Sequence, residues 1–159
     1  MNSKEIFLIE GLGGEKKLKG RVSVNGAKNA ALKAIAAAVL FKEPVKLENI
    51  PDTDDIHTLA EILKKMGETV TWTDSEPGKH SKMTIDTSGI SSTDIDKKMG
   101  AAMRASVVLT GPLLSRFGKV TLPSPGGCVI GARPIDQFIE GYEKMGAKTT
   151  FKDGVYEMK

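Results

Sequence analysis

Two stretches of the chain carry the same hydrophobic rhythm. Ile56, Leu59, Ala60, Leu63 and Met66 stand at i, i+3, i+4, i+7 and i+10, and Gly67 follows; Ile135, Phe138, Ile139, Tyr142 and Met145 repeat the spacing, and Gly146 follows. That period gathers the apolar side chains on one stripe of an α-helix, and the glycine supplies a C-terminal stop. The first helix is expected to begin after the capping candidates Thr53 and Asp54, the second at Pro134, a good first-turn residue.

The surroundings repeat as well. A short β-like run precedes each helix, Val45–Leu47 and Val120–Leu122, and two more follow: 69–73 with 83–86, then 148–151 with 155–158. Upstream lie two alanine-rich, nearly all-apolar helices, about 28–40 and 98–117, whose character on all sides predicts burial. Gly111-Pro112 is expected to kink or break the second. The unit is therefore helix, strand, helix, strand, strand, with Val22–Val24 as a leading strand for the first copy. Residues 75–81 read as a polar loop, and 88–96 as the link between copies spanning about 21–90 and 97–159. The fold class is α/β (α+β), built of βαβαββ repeats. Two copies read as an incomplete set, because each unit leaves a sheet face to bury against a neighbour.

Composition narrows the function. A chain of 159 residues with 40% hydrophobic residues has room for one compact domain with a real core. The 23 basic and 20 acidic residues leave +3, a mild liking for anions, but Lys and Arg are scattered rather than drawn into a nucleic-acid stripe. A βαβαββ nucleic-acid module would need a basic, aromatic-bearing sheet face, for which Trp72 and Phe151 are too little. One cysteine forbids an internal disulfide, and with only two histidines a structural zinc site is not expected. The longest apolar run, 34–41, is too short to cross a bilayer, and no N-terminal stretch resembles a signal peptide, so a cytoplasmic protein is expected.

Three segments hold reactive residues where packing does not ask for them. Gly26-Ala27-Lys28-Asn29, between a strand and a buried helix, offers free backbone N–H groups, a cation and an amide to a phosphate or carboxylate; an ordinary capped turn would look the same. Arg104, within an apolar helix, needs either an acidic partner or an anionic ligand in a cleft. The run from Pro123 to Pro134 brings Gly126, Gly127, Cys128, Gly131 and Arg133 to a helix N-terminus. Backbone donors there suit a phosphate, Arg133 is a forked clamp, and the positive setting, which favours thiolate, makes Cys128 a usable acid or nucleophile at neutral pH rather than an inert buried thiol.

Taken together these segments resemble the UDP-N-acetylglucosamine 1-carboxyvinyltransferase family. The residues that carry the resemblance are Asn25–Leu32, Met103–Ser106, Leu113–Gly118 and Gly127–Asp136, in order over nearly the whole chain. The loop before Cys128 is longer than the usual family form, and Gln137-Phe138 stands where Leu-His is more usual. The shikimate-pathway enolpyruvyl transferase, which shares fold and donor, lacks the Gly-Gly-Cys loop.

The resemblance implies an inside-out α/β barrel of two domains, with residues 1–20 a strand segment belonging to the other domain and 21–159 a partial substrate-binding domain. It implies an enzyme that transfers the enolpyruvyl group of phosphoenolpyruvate to the 3′-hydroxyl of UDP-N-acetylglucosamine, without metal or organic cofactor and without a nucleic-acid or membrane partner. Lys28 would neutralise phosphoenolpyruvate, and Asn29 would bond the sugar nucleotide. Arg104 and Arg133 would bind anionic groups, and Cys128 would be the general acid and the thiol alkylated by fosfomycin. Pro134 and Asp136 would lie near the uridine end. Enzymes of this family are more than twice as long, so the chain is expected to be a fragment lacking the C-terminal half and, by itself, inactive. A UDP-sugar or anion-binding module without catalysis is the alternative.

Overall fold

A computed structural model describes residues 6–11, 13–14, 17–73, 81–126 and 134–159. The elements run α1 (Lys28–Ala38), β1 (Val45–Ile50), α2 (Asp54–Lys65), β2 (Thr69–Thr73), β3 (Ser81–Asp86), α3 (Lys97–Ala102), a 3-10 helix (Arg104–Leu109), α4 (Thr110–Phe117), β4 (Val120–Pro123), α5 (Asp136–Lys144), β5 (Thr149–Lys152) and β6 (Val155–Met158). The helix, strand, helix, strand, strand unit thus occurs twice. Each copy closes its own three-stranded antiparallel sheet, in the orders β1-β3-β2 and β4-β6-β5. Gly67 and Gly146, at φ of 102° and 101°, end the paired helices as their positions predict.

The expected leading strand at Val22–Val24 does not form. Both valines are largely exposed, and the described residues between 6 and 25 belong to no helix or strand. In the second copy the equivalent place is taken by the link between the copies. Asp94 bridges Thr121 in parallel, the Ile95 N–H donates to the Thr121 carbonyl at 2.9 Å, and the Thr121 N–H donates to Thr93 at 3.1 Å. Alternation marks a segment that suits a ladder, but a strand exists only where a partner edge meets it.

The second apolar helix breaks earlier than Gly111-Pro112. Met103 is extended, at φ −123° and ψ 111°, and the chain restarts as the 3-10 helix before merging into α4. Pro112 then lies in the first turn of α4, where a missing N–H has little to lose.

One core joins the copies. Ile35, Ile56, Leu59, Ile62, Leu63, Met66, Met83 and Ile85 of the first copy are fully buried, as are Leu109, Leu113, Leu122 and Met158 of the second. The 3-10 helix packs on α1 and α3 on α2, so the second copy covers the first. Arg116 of α4 adds a polar clasp: its Nη1 donates to the Val39 and Phe41 carbonyls at the end of α1 and to Thr87 Oγ1, at 2.8, 2.9 and 2.6 Å.

Candidate functional site

The Gly26–Asn29 turn is docked on the C-terminal end of β1. The β1–β3 register shifts between Leu47 and Ile50, and this bulge carries Asn49 in the left-handed region, φ 58°. Asn49 tolerates that conformation better than most residues, and its side-chain Oδ1 accepts the Gly26 N–H at 3.0 Å. Only glycine fits opposite, because a Cβ on residue 26 would stand 1.9 Å from the Asn49 carbonyl oxygen.

Beyond this turn α1 begins at Lys28 with no side-chain cap from Ala27 and no acidic residue in its first turn. The first N–H groups of the helix and its dipole therefore face outward beside a lysine, an arrangement that suits an anion and does nothing for helix stability. Asn29 is exposed next to it. The Lys28 ammonium donates to Asp55 Oδ2 in the first turn of α2. Nearby, His57 Nε2 meets Asp52 Oδ1 at 2.6 Å, and the His57 ring lies 5.0 Å from that of Trp72.

The described residues on either side of the glycine–cysteine segment, Gly126 and Pro134, both meet the break between α3 and the 3-10 helix. On the incoming side Gly126 lies so close to Ala101 that a Cβ would stand 1.8 Å from its carbonyl oxygen, and the Ser124 N–H is tied to Gly154 at 2.7 Å. On the outgoing side Arg104 donates to the Pro134 carbonyl at 3.0 Å. Arg104 is half-buried and forms no salt bridge with an acid among the described residues, so its anchor is a carbonyl. Cys128 and Arg133 lie outside the described residues. Pro134 and Asp136 are exposed, and Asp136 opens α5, where a carboxylate suits the helix dipole.

A second polar cluster lies at the seam of the copies. Glu68 is 5% exposed, neither carboxylate oxygen has a hydrogen-bond partner among the described residues, and burial pushes its pKa up to about 8. Arg116 opposes that rise and Asp86 adds to it. Sequence reading missed Asn49, Asp55 and Glu68. A positive-φ asparagine beside a bulge leaves a trace in the Asn-Ile-Pro run, but the pairing of Lys28 with Asp55 joins residues far apart in the chain.

Among the described residues, no group of three or more His, Cys, Asp or Glu could hold a metal ion, and no helix is long and apolar enough to cross a membrane.

An α+β pair of repeats thus presents an uncapped helix start beside a lysine, and an arginine bonded to the Pro134 carbonyl, an arrangement suited to anionic groups. Residues 12–158 match the family described as EPSP synthase (3-phosphoshikimate 1-carboxyvinyltransferase), and the chain belongs to that family. It is 45% identical over 155 residues to UDP-N-acetylglucosamine 1-carboxyvinyltransferase 3 of Caldanaerobacter subterraneus subsp. tengcongensis, covering 98% of this chain and 35% of that protein. It is 47% identical over 142 residues to the UDP-N-acetylglucosamine 1-carboxyvinyltransferase of Wolinella succinogenes, covering 89% and 32%. The crystal structure of the enolpyruvyl transferase NikO from Streptomyces tendae superposes with a TM-score of 0.71 at 25% identity, over 92% of this chain and 31% of that one. The chain thus spans about a third of the length of these relatives.

Proposed function

We propose that the chain forms the part of a UDP-N-acetylglucosamine 1-carboxyvinyltransferase that receives the anionic groups of the two substrates. The observation that carries this reading is the Lys28–Asn29 helix start, uncapped and docked on Asn49, in a chain 45% identical to a relative bearing that name. Lys28 supplies counter-charge to phosphoenolpyruvate, and Asn29 bonds the sugar nucleotide near its reacting hydroxyl. Arg104 fixes the outgoing end of the cysteine loop through Pro134 and, with Arg133, meets the substrates' anionic groups. Pro134 and Asp136 lie toward the uridine.

The reaction adds the sugar 3′-oxygen to C2 of phosphoenolpyruvate, its hydroxyl proton passing to a base outside this chain's span, while C3 takes a proton, for which Cys128 is the acid. Loss of inorganic phosphate from C2 and of a proton from C3 then restores the vinyl group on the sugar. Cations already in place for a dianion lower the barrier without reorganising during the reaction. The expectation that this chain does not turn over by itself rests on its span of the relatives, and a phosphate-release assay measures it directly.

The test is titration with UDP-N-acetylglucosamine, followed by backbone amide NMR and by fosfomycin alkylation of Cys128 read as intact mass. The expected result is saturable shifts in the first turn of α1 and alkylation accelerated by the sugar nucleotide. Amides that do not move, with alkylation indifferent to the sugar nucleotide, overturn the reading.

A further inference from the structure

We propose that Asp55 is the resident counter-ion of Lys28, a positioning residue that holds the ammonium at the start of α1 and is displaced by the phosphate-bearing substrate. The inference rests on the reading in which Lys28 meets phosphoenolpyruvate, and it adds the residue with which that substrate competes.

Lys28 is the first residue of an 11-residue helix whose first turn holds no acid and whose N-cap offers no side-chain bond. The positive end of the dipole and the ammonium repel one another there, and within its own helix nothing offsets them. The offset comes from α2, where Asp55 Oδ2 accepts the ammonium. Asp55 is not needed to start α2, since Asp54 stands in the same first turn. Nor does the pair do much for the fold: both side chains are nearly half exposed, at 45% and 42%, and pairs of that kind contribute little to stability.

What the pair does is local. One carboxylate fixes the direction of a long, flexible lysine and lowers the positive potential at the turn until an anion of higher charge arrives. Exposure leaves the partner replaceable, as it would not be in a closed interior. The turn itself is held independently of the pair by the Gly26–Asn49 bond, so Lys28 can change partner without the backbone moving.

The experiment is a double-mutant cycle on the full chain, with phosphoenolpyruvate as the probe and binding followed by the α1 first-turn amides. Asp55→Asn is expected to tighten binding about two- to fivefold, the scale of one exposed charge pair. Asp55→Glu is expected to keep wild-type affinity. In a Lys28→Met background Asp55→Asn is expected to change nothing, an outcome a purely structural role for Asp55 would not produce. Weaker or unchanged binding in Asp55→Asn overturns the proposal, as does a gain that persists without Lys28. Failure of phosphoenolpyruvate to bind any variant overturns it too. Titration with UDP-N-acetylglucosamine separates this from the parent reading, which fails only if the wild-type chain ignores the sugar nucleotide.

Discussion

Met66 and Met145 occupy the same place in the two copies of the repeat, each one residue before a left-handed glycine, yet Met66 is 1% exposed and Met145 is 77% exposed. The sequence stripe is the same; the neighbours differ. α2 is covered by α1 and by α3 of the second copy, and five of its residues are buried. No residue within α5 is buried, and beside it lies a groove of about 450 Å³ lined by Gly111, Leu114, Tyr142 and Met145, among others. Among the described residues, Tyr142 Oη ties α5 to the rest at 2.9 Å from Thr110 Oγ1.

That asymmetry sets the outcome of matched truncations. Leu59→Ala removes a fully buried side chain and is expected to cost about 2–5 kcal/mol, whereas Phe138→Ala, its counterpart, is expected to cost under about 1 kcal/mol. Urea denaturation of the two variants measures the difference. Equal costs would mean that α5 is packed as closely as α2.

Close backbone approach at the site gives a second expectation. A Cβ at residue 26 would stand 1.9 Å from the Asn49 carbonyl oxygen, and one at residue 126 would stand 1.8 Å from that of Ala101. Both obstacles are main chain, so relief requires the turn or the loop to move. Gly26→Ala and Gly126→Ala are each expected to destabilise by about 1–3 kcal/mol. Amide shifts are expected around Lys28 for the first and around Arg104 for the second. A variant with wild-type stability and unshifted amides would show that the backbones have room.

The legible part of the fold was the part written in local periods. The Ile56–Met66 and Ile135–Met145 stripes give helices ending at Gly67 and Gly146, and the runs around them give six strands in the expected order. What local pattern could not supply was partnership. Val22–Val24 reads as a strand and has no ladder, while Thr93–Ile95, read as linker, joins β4. The helix break fell at Met103 rather than at Gly111-Pro112, since extending the chain there leads into Arg104 and its bond to Pro134. At the site, Lys28 and Arg104 stood out because a charge beside apolar helices demands an explanation. Asp55 and Asn49 did not, because an acid in a first turn and an asparagine near a proline are ordinary until their distant partners are known.

Arg116 links the copies through three acceptors, the Val39 and Phe41 carbonyls just past α1 and Thr87 Oγ1 just past β3, with Thr87 Oγ1 also donating to the Phe41 carbonyl at 2.6 Å. Arg116→Met keeps the apolar stem and removes every donor, leaving part-buried carbonyls at the end of α1 without their cation. The expected loss is about 2–4 kcal/mol, read as a lower urea midpoint with an unchanged slope. A changed slope instead would show that the copies come apart separately.

Glu68 makes stability depend on pH in a direction opposite to most carboxylates. Its pKa is raised from 4.5 to about 8, chiefly by burial, and neither oxygen is bonded to a described residue. Below about pH 4.5 the carboxyl is protonated whether the chain is folded or not, and it imposes no ionisation penalty. Between there and about pH 8 the unfolded chain releases the proton while the folded chain keeps it, so the folded state loses ground with each unit of pH. Above that range both states are ionised and the penalty levels off, at a few kcal/mol on a scale of about 1.4 per unit. Glu68→Gln removes the titration while preserving shape. It is expected to flatten this part of the profile and to raise stability at about pH 8 by a few kcal/mol, with little change near about pH 4.5. Urea midpoints across that range decide it. A wild-type profile no steeper than that of Glu68→Gln would mean that the carboxylate finds water or Arg116 on ionising, and that the seam between the copies opens to admit it.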